Sequence, residues 1–207
     1  MDAEATTRDR LVDAAMRLFL DRGYEATAVS AVLKAADARS GSLYYSFPSK
    51  EDLLIGVLEK YLEMVEPVIL APAEERASDP IERVFVLLRM YREFLVTTGC
   101  RYGCPIGNLA LEISDHHEEA RKLVLKNFDD WCAGVQRWLE AAGDRLPKDI
   151  DRAGLARFIL TVMEGGQMQA KAEKRIDPYD ASMGQLRNYI ECLKSRAEKE
   201  RENAAKR

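Results

Sequence analysis

The stretch of sequence that most constrains the fold runs from residue 27 to residue 50, TAVSAVLKAADARSGSLYYSFPSK. Two groups of apolar residues recur in it at helical spacing, and residues 37–39 separate the groups. The first group is Val29, Val32, Leu33 and Ala36, and the second is Leu43 and Phe47. The pattern predicts two short helices joined by a tight turn.

The second predicted helix has a small polar face. At about 100° per residue, Ser42, Tyr45 and Ser46 fall opposite Leu43 and Phe47. Such a face costs little to desolvate, and its hydroxyl groups offer donors and acceptors to base edges and phosphates in a DNA groove. It therefore suits the recognition helix of a helix-turn-helix motif. An ordinary helical hairpin has the same periodicity, so the spacing alone leaves both interpretations open.

The residues around the two helices resemble the DNA-binding signature of the tetracycline-repressor (TetR) family of transcriptional regulators. The matching positions are Gly23, Tyr24, Thr27, Gly41, Leu43, Tyr44, Phe47 and Lys50. The sequence departs from the family pattern at Asp37, where Gly is usual, and at Arg39, where Ser is common. Because Asp tolerates a left-handed backbone better than most residues, we expect the turn to persist.

The resemblance implies an all-α fold of about nine helices. A three-helix DNA-binding domain would occupy residues 1–49, and a regulatory domain for ligand binding and dimerisation would occupy residues 50–207. The family works as a homodimer that binds a palindromic double-stranded DNA operator, represses transcription and is released by a small apolar effector. No cofactor and no enzymatic activity are expected. The competing class is a helical ligand-binding protein without an operator.

Ten residues are candidates for the DNA contacts that the resemblance implies. The candidates for base edges are Ser42 and Tyr45, followed by Ser46 and Ser40. The candidates for phosphates are Tyr44, Lys50, Gly41, Ala28 and Ser30, with Arg39 at the start of the recognition helix.

The charge of the chain is unusual for a protein that binds nucleic acid. The net charge is -4, and residues 1–50 contain seven basic and seven acidic side chains, whereas phosphate binding usually uses a basic domain. Binding would rest on a few placed groups, among them Arg39 and Lys50, and on dimerisation. The neutral binding end favours the competing class, and the complete motif opposes it.

The sequence offers no membrane segment. Its apolar runs are far shorter than the roughly 18 residues that a membrane span requires. The N-terminal segment MDAEATTRDR is acidic where a signal peptide would be basic and then apolar. We expect a cytoplasmic protein.

Further helices follow from periodicity and capping residues. We expect helices at residues 7–22, capped by Thr6 or Thr7, and from Lys50 to about Met64, begun by Ser49 and Asp52. Pro67 and Pro72 are expected to end the latter, with a loop at residues 71–80. A later helix should start at Pro80, and further helices should cover residues 105–113, 116–142, 152–173 and 181–198. The charged tail after Ser195 should fray. The core of the DNA-binding domain should contain Leu18, Phe19, Val32, Leu43 and Phe47.

The last two helices carry apolar stripes that the resemblance assigns to the dimer interface. The stripe residues are Leu155, Ile159, Val162, Gly166, Met183, Leu186, Ile190 and Leu193. Packing of these stripes within their own domain would give the same pattern, and the spacing does not separate the two interpretations.

Four cysteines occur, Cys100, Cys104, Cys132 and Cys192. In a cytosolic chain they are expected to be unpaired thiols. Cys100 and Cys104 lie in a glycine-rich break, and Cys104 precedes Pro105 at a predicted helix start, where the helix dipole favours a thiolate. The surrounding run also resembles a segment that occurs both in TetR proteins that respond to electrophiles or oxidants and in others that do not. A thiol-based sensor through Cys104 is therefore an alternative mode of regulation.

Two further sets of residues are candidates for ligand sites. His116 and His117 diverge by about 100° on a helix, so we expect solvated histidines and no metal site. A Met- and aromatic-rich set suits an apolar effector in a cavity, although most of it would be core by default. This set is Met64, Met90, Tyr91, Phe94, Phe128, Trp131, Met163 and Gln167. Glu164 beside Gly165 and Gly166 is too ordinary a pattern to support an enzyme.

Overall fold

The computed structural model describes residues 6–206, and within that range the chain is all helical without a β-strand. The α-helices are α1 (Thr7–Arg22), α2 (Val29–Ala35), α3 (Ser40–Ser46), α4 (Lys50–Met64), α5 (Ala71–Arg76), α6 (Pro80–Thr97), α7 (Pro105–Ile113), α8 (Glu118–Ala141), α9 (Arg152–Glu173) and α10 (Asp177–Ala205). A π-helical turn, Val65–Leu70, joins α4 to α5 without a break. The described residues thus form nine continuous α-helical segments, and the predicted all-α fold is confirmed.

The chain divides into two compact units. The first unit contains the residues up to Met64 together with Pro105–Phe128, and the second contains Val65–Cys104 and the chain from Asp129 onward. The division does not fall after residue 49, because α4 packs on α1 and the segment containing α7 returns to the first unit. The functional boundary at residue 49 stays a prediction.

The first unit is built on α1, which packs against α2, α3 and α4. Its start is capped by Thr6 and Asp9, whose side chains bond each other's backbone N–H groups. Phe19, Val32, Leu43 and Phe47 are buried as predicted. The prediction for Leu18 was wrong, because this side chain is only half-buried at the edge of the α1 stripe. Burial of each large side chain contributes about 2 kcal/mol.

The segment after α4 differs from the predicted loop. Residues 71–76 form α5, and Pro67 and Pro72 lie inside continuous helical structure. Pro72 is the second residue of α5, a helix that directly follows the π-helical turn Val65–Leu70. The proline pattern was therefore an unreliable stop signal here.

The C-terminal helix is longer than predicted. α10 begins at Asp177, with Pro178 in its first turn, and continues to Ala205, so the expectation of fraying after Ser195 was wrong. Ala197 is buried, and Arg196 forms an ion pair with Glu200 at 3.1 Å and contacts Asp149. Packing along one face and ion pairs at its edges thus extend the helix into the charged tail.

The second unit is held together mainly by α9 packed along α10. Tyr179 is fully buried, and its hydroxyl donates to the Leu88 carbonyl at 2.8 Å. Arg92 forms a two-pronged ion pair with Asp180 at 2.6 and 2.8 Å. In the part of the chain from residue 6 to 206, no helix has the length and apolar character needed to cross a membrane.

Candidate DNA-binding and effector sites

The turn between α2 and α3 contains the strained residue that the sequence pointed to. Asp37 has a φ of 45°, in the left-handed region, which Asp adopts more readily than most residues. Arg10 of α1 donates from Nε to the Ala36 carbonyl at 3.3 Å and so caps the end of α2. Arg39 precedes α3 without a side-chain cap among the described residues. The predicted persistence of the turn is confirmed, and the cap from Arg10 was not foreseen.

The face of α3 opposite Leu43 and Phe47 is open to solvent. Tyr45 is 93% exposed and Tyr44 is 55% exposed. The remaining candidates differ in accessibility: Ala28, Ser30, Arg39, Ser40 and Gly41 are exposed, whereas Ser42 and Ser46 are half-buried. Two large aromatic side chains in water on a short helix, with its apolar side buried, form a surface suited to contact with another molecule.

Gly41 has unused space around it. A Cβ built on this residue would have no neighbouring atom of the described chain within 4 Å, and the residue lies in a helix, where glycine is about 0.5–1 kcal/mol less favourable than alanine. The protein's own packing therefore does not require glycine at this position. A close approach by an external molecule would explain it.

Lys50 is held in place at the start of α4. Its Nζ lies 4.2 Å from the centre of the Tyr24 ring and donates to the Glu25 carbonyl at 3.3 Å. The ring itself is buried, and burial raises the pKa of Tyr24 to about 12. The ammonium group is thereby fixed close to the turn that follows α1, with a cation–π contact that stabilises it by about 1 kcal/mol.

That turn, Gly23-Tyr24-Glu25, encloses the carboxylate of Glu112 from α7. The carboxylate accepts the backbone N–H of Tyr24 at 2.8 Å and that of Glu25 at 2.6 Å. Gly23 has a φ of 87°, and a Cβ there would lie 2.9 Å from both carboxylate oxygens. The turn is therefore shaped for this carboxylate, a contact that the sequence did not predict because its partners are more than 80 residues apart.

His117 lies beside the same turn. Its ring packs edge-on against Tyr24 at 5.3 Å, and its nitrogens lie 3.2 Å from a Glu51 carboxylate oxygen and 3.6 Å from one of Glu25. The Nδ1 contact with Glu51 lacks hydrogen-bond alignment. The expectation of a solvated histidine was therefore wrong for His117, whereas His116 is exposed. Packing on Tyr24, which sequence spacing could not reveal, accounts for the difference.

The structure brings together only part of the predicted effector set. Trp131 donates from its indole nitrogen to the Tyr91 hydroxyl at 3.1 Å, and Met163 is buried in the same unit. Phe94 is partly exposed and stacks on Tyr102, and Met90 is half-buried. Met64 and Phe128 belong to the first unit, so their role beside the other residues stays a prediction.

A buried polar cluster adjoins the Tyr91–Trp131 pair. Burial raises the pKa of the Glu164 carboxyl, and a hydrogen bond with Cys104 opposes that shift. Burial, with Cys104 and Glu164 nearby, raises the pKa of Tyr91 well above its usual value. Gln167, one turn beyond Glu164 on α9, is only 1% exposed. Glu164 was not among the predicted effector residues, since a single glutamate in a helix carries no pattern that marks it as buried.

The other cysteines have different surroundings. None of the four forms a disulfide within the described chain; Cys100 and Cys132 are buried, and Cys192 is exposed. Cys100 has a φ of 51°, so it serves as part of the turn after α6. Burial raises the pKa of Cys132 and makes its thiolate less available. Cys104 is thus set apart from the others by its contact with a buried carboxyl group.

The predicted dimer stripes are used inside one protomer. Six of the eight residues are buried there, namely Leu155, Ile159, Gly166, Leu186, Ile190 and Leu193, while Val162 and Met183 are half-buried. These six residues are buried within one protomer, in which α9 packs along α10, and their assignment to an intersubunit surface stays a prediction. The exposed large apolar side chains on the described parts of these two helices are Phe158, Met168 and Tyr189.

Comparisons with known proteins agree with this arrangement. The family model for bacterial regulatory proteins of the tetR family matches residues 11–57, and that for the tetracyclin repressor-like C-terminal domain matches residues 80–186. The HTH-type transcriptional repressor DhaR from Mycobacterium sp. (strain GP1) is 28% identical over 86% of this chain and 89% of its own. An uncharacterized HTH-type transcriptional regulator from Mycobacterium tuberculosis is 31% identical over 88% of this chain and 93% of its own.

A solved structure shares both the fold and the sequence similarity. Regulatory protein TetR from Rhodobacter sphaeroides has a TM-score of 0.78 and 27% identity, covering 87% of this chain and 96% of that one. Helices α1–α3 and the accompanying helical unit thus define a helix-turn-helix transcriptional regulator. The two family models together span most of the chain. The chain belongs to the TetR family, and it is a transcriptional repressor of that family.

Proposed function

We propose that this repressor binds a palindromic operator as a homodimer and is released by a small, largely apolar effector. The observation that carries the proposal is the exposed face of α3, with Tyr44 and Tyr45 in solvent above a buried Leu43 and Phe47. A helix that is buried on one side and bears hydroxyl groups on the other can enter a major groove without losing its own packing.

The proposed contacts follow the accessibility of each residue. Tyr45 and Ser42 read base edges, with Ser46 and Ser40 beside them. The residues that hold the phosphate backbone are Ala28, Ser30, Arg39, Gly41, Tyr44 and Lys50. Lys50 has further N–H donors besides the one that bonds Glu25, so an ammonium group already held in position can add a phosphate contact.

The proposed dimer uses side chains that α9 and α10 leave exposed. Phe158 and Tyr189 form an edge-to-face pair at 5.6 Å, and both are exposed, as is Met168. Aromatic side chains and methionine are enriched in the cores of protein interfaces. A dimer with twofold symmetry suits a palindromic operator, whose half-sites lie in successive major grooves about 34 Å apart.

The proposed link between effector and operator is α7. This helix begins immediately after Cys104, and its Glu112 holds the turn that leads from α1 into α2. A ligand that favours another position of α7 would withdraw this carboxylate and alter the turn on which Lys50 rests. Release from DNA then requires that the ligand bind the two positions with different affinity.

A mobility-shift titration tests the operator proposal, using promoter fragments from beside the chain's own gene. We expect the wild type to bind one fragment far more tightly than random DNA, and Tyr45→Ala to weaken that binding by at least about tenfold. Leu125→Ala, at another exposed apolar residue of the first unit, is the control and should bind normally. If every fragment binds only non-specifically, the chain fits the competing class of helical ligand-binding protein.

A second mode of release is proposed on one observation, the contact between Cys104 and the buried carboxyl of Glu164. Only the ionised form of this carboxyl, which burial disfavours, can accept the thiol proton as the sulfur reacts. Modification of Cys104 would act directly at the start of α7. Operator release would be measured with oxidants and electrophiles. Cys104→Ser should abolish that response and Cys192→Ser should keep it; an unchanged response in Cys104→Ser contradicts this mode.

A further inference from the structure

Helix α9 carries two buried polar atoms that have no hydrogen-bond partner among the described residues. They are Oε1 of Glu164 and Nε2 of Gln167. Three positions apart on a helix, the two side chains emerge on the same face, with their Cβ atoms about 5–6 Å apart. One of the atoms is an acceptor and the other is a donor, so they form a complementary pair on one surface.

Leaving such atoms unpaired is unfavourable. A buried donor or acceptor without a partner loses the hydrogen bonds that it had with water, and most buried polar groups in proteins are therefore paired. Glu164 and Gln167 lie one turn apart on α9 in the second unit, and Gln167 is only 1% exposed. Because the two atoms share one face of the helix, a single molecule that binds both explains them better than two unrelated packing defects do.

The surroundings limit the chemistry of that partner. The side chains near Glu164 include Cys104, Tyr91 and, through its bond to Tyr91, Trp131. Burial disfavours the charged form of the Glu164 carboxyl, and the same loss of hydration disfavours a charged ligand beside it. A simple organic cation would satisfy Glu164 but offers no acceptor to Gln167.

We propose that Glu164 and Gln167 form the polar recognition site for the effector, and that the effector is an uncharged molecule with a carboxamide-like donor and acceptor on an apolar body. The ligand N–H donates to Glu164 Oε1, and the ligand carbonyl accepts from Gln167 Nε2. The aromatic pair Tyr91 and Trp131 lies beside the apolar body. This inference rests on the proposed effector function and specifies the ligand class of its site.

Three probes of nearly equal size test the ligand class by isothermal titration calorimetry on the whole protein. Benzamide has both donor and acceptor, acetophenone has only the acceptor, and benzoate is an anion. We expect benzamide to bind the wild type about tenfold more tightly than acetophenone, as one satisfied buried hydrogen bond would give. Benzoate should bind most weakly. Equal binding of benzamide and acetophenone, tighter binding of benzoate, or no benzamide binding up to its solubility limit overturns the proposal.

Two variants assign the contacts. Glu164→Met should weaken the binding of benzamide about tenfold. The binding of acetophenone should be unchanged, because acetophenone has no N–H that could donate to Glu164. Gln167→Met should weaken the binding of both ligands, because the carbonyl group of each accepts from Gln167 Nε2. Gln169→Met, at an exposed position of the same helix, is the matched control and should bind as the wild type does. A benzamide preference that survives Glu164→Met contradicts the assignment.

These measurements distinguish a variant that does not fold from a ligand class that is wrong. Retained acetophenone binding by Glu164→Met shows that the variant is folded, and the comparison of probes on the wild type alone still decides the ligand class if a variant does not fold. The assay contains no DNA, so it is independent of the operator. Loss of the benzamide preference with normal operator binding overturns this inference alone, whereas the reverse result overturns the operator proposal alone.

Discussion

The buried side-chain amides of the two units, Asn127 and Gln167, differ in their hydrogen bonding. In the first unit the Asn127 amide donates to the carbonyls of Leu58 and Leu123, at 3.2 and 2.9 Å, and the Glu112 carboxylate accepts two backbone N–H groups. In the second unit Glu164 and Gln167 each retain an unpaired atom. The described part of the first unit also contains one unpaired buried atom, Nδ1 of His117, which faces the Glu51 carboxylate without hydrogen-bond alignment. The two hydrogen bonds of the Asn127 amide fix one geometry of that side chain. Incomplete pairing lowers stability and keeps binding capacity for a ligand.

The largest effect is expected at the turn that encloses Glu112. Gly23→Ala should lower the free energy of unfolding by about 3 kcal/mol, because the residue has a positive φ and the new Cβ would collide with the carboxylate. Gly99→Ala is the matched control, with a positive φ of 60° and open space in the described structure around it, and should cost about 1 kcal/mol. Urea denaturation measures both, and equal losses would contradict a role for the carboxylate.

Removal of the carboxylate should have the next largest effect. Glu112→Ala leaves two backbone N–H groups without their acceptor and should lower the free energy of unfolding by about 2 kcal/mol. Glu112→Gln keeps one acceptor oxygen and should cost about half as much. Because the same turn supports Lys50, operator affinity should fall in the same order. Normal operator binding by Glu112→Ala would show that this turn does not transmit a signal.

Exchange of the buried amides for apolar side chains compares the two units directly. Asn127→Leu should cost about 2 kcal/mol, because two hydrogen bonds are lost. Gln167→Met should change the free energy of unfolding by less than about 0.5 kcal/mol or should stabilise the protein, because the amide nitrogen that it removes is unpaired. Similar losses of unfolding free energy in urea denaturation would mean that the two amides are equally well hydrogen-bonded.

The smallest effect concerns pH. The pKa of Glu164 is raised above its ordinary value of 4.5 by burial, so the native state holds this proton more tightly than the unfolded state. The stability contributed by the neutral carboxyl is present below pH 4.5 and is lost as pH rises through the raised pKa. Glu164→Gln should therefore gain stability over the wild type as pH increases from 4 towards 8. Thermal denaturation across about this pH range measures the difference, and a constant difference contradicts the prediction.

Local sequence signals were sufficient for the first unit's helices. Leu43 and Phe47 stand one turn apart and are both buried, and Ser49 with Asp52 begins α4 through reciprocal side-chain bonds. These features depend on residues within one turn of each other. The tolerance of Asp37 for a left-handed backbone is likewise a property of a single residue. Periodicity and capping therefore predicted this part of the fold well.

Contacts between residues distant in sequence could not be predicted from periodicity and capping residues. An apolar stripe such as Leu155, Ile159 and Leu186 shows that a face is covered, and it does not show whether the cover is the same chain or another copy. Glu164 and His117 are polar residues whose burial depends on neighbours distant in sequence. The helix after Ser195 is maintained by contacts with residues about 50 positions earlier. Tertiary contacts decided each of these points.

The open space around Gly41 has a genetic consequence. Gly41→Ala should fold at least as well as the wild type, since alanine favours a helix and the added methyl group meets no atom of the described chain. In the proposed homodimer such a subunit would still pair with a normal one through α9 and α10. The mixed dimer would then have one subunit whose recognition helix α3 cannot approach the DNA normally. Mutations at this position should therefore be dominant over the normal gene in the same cell.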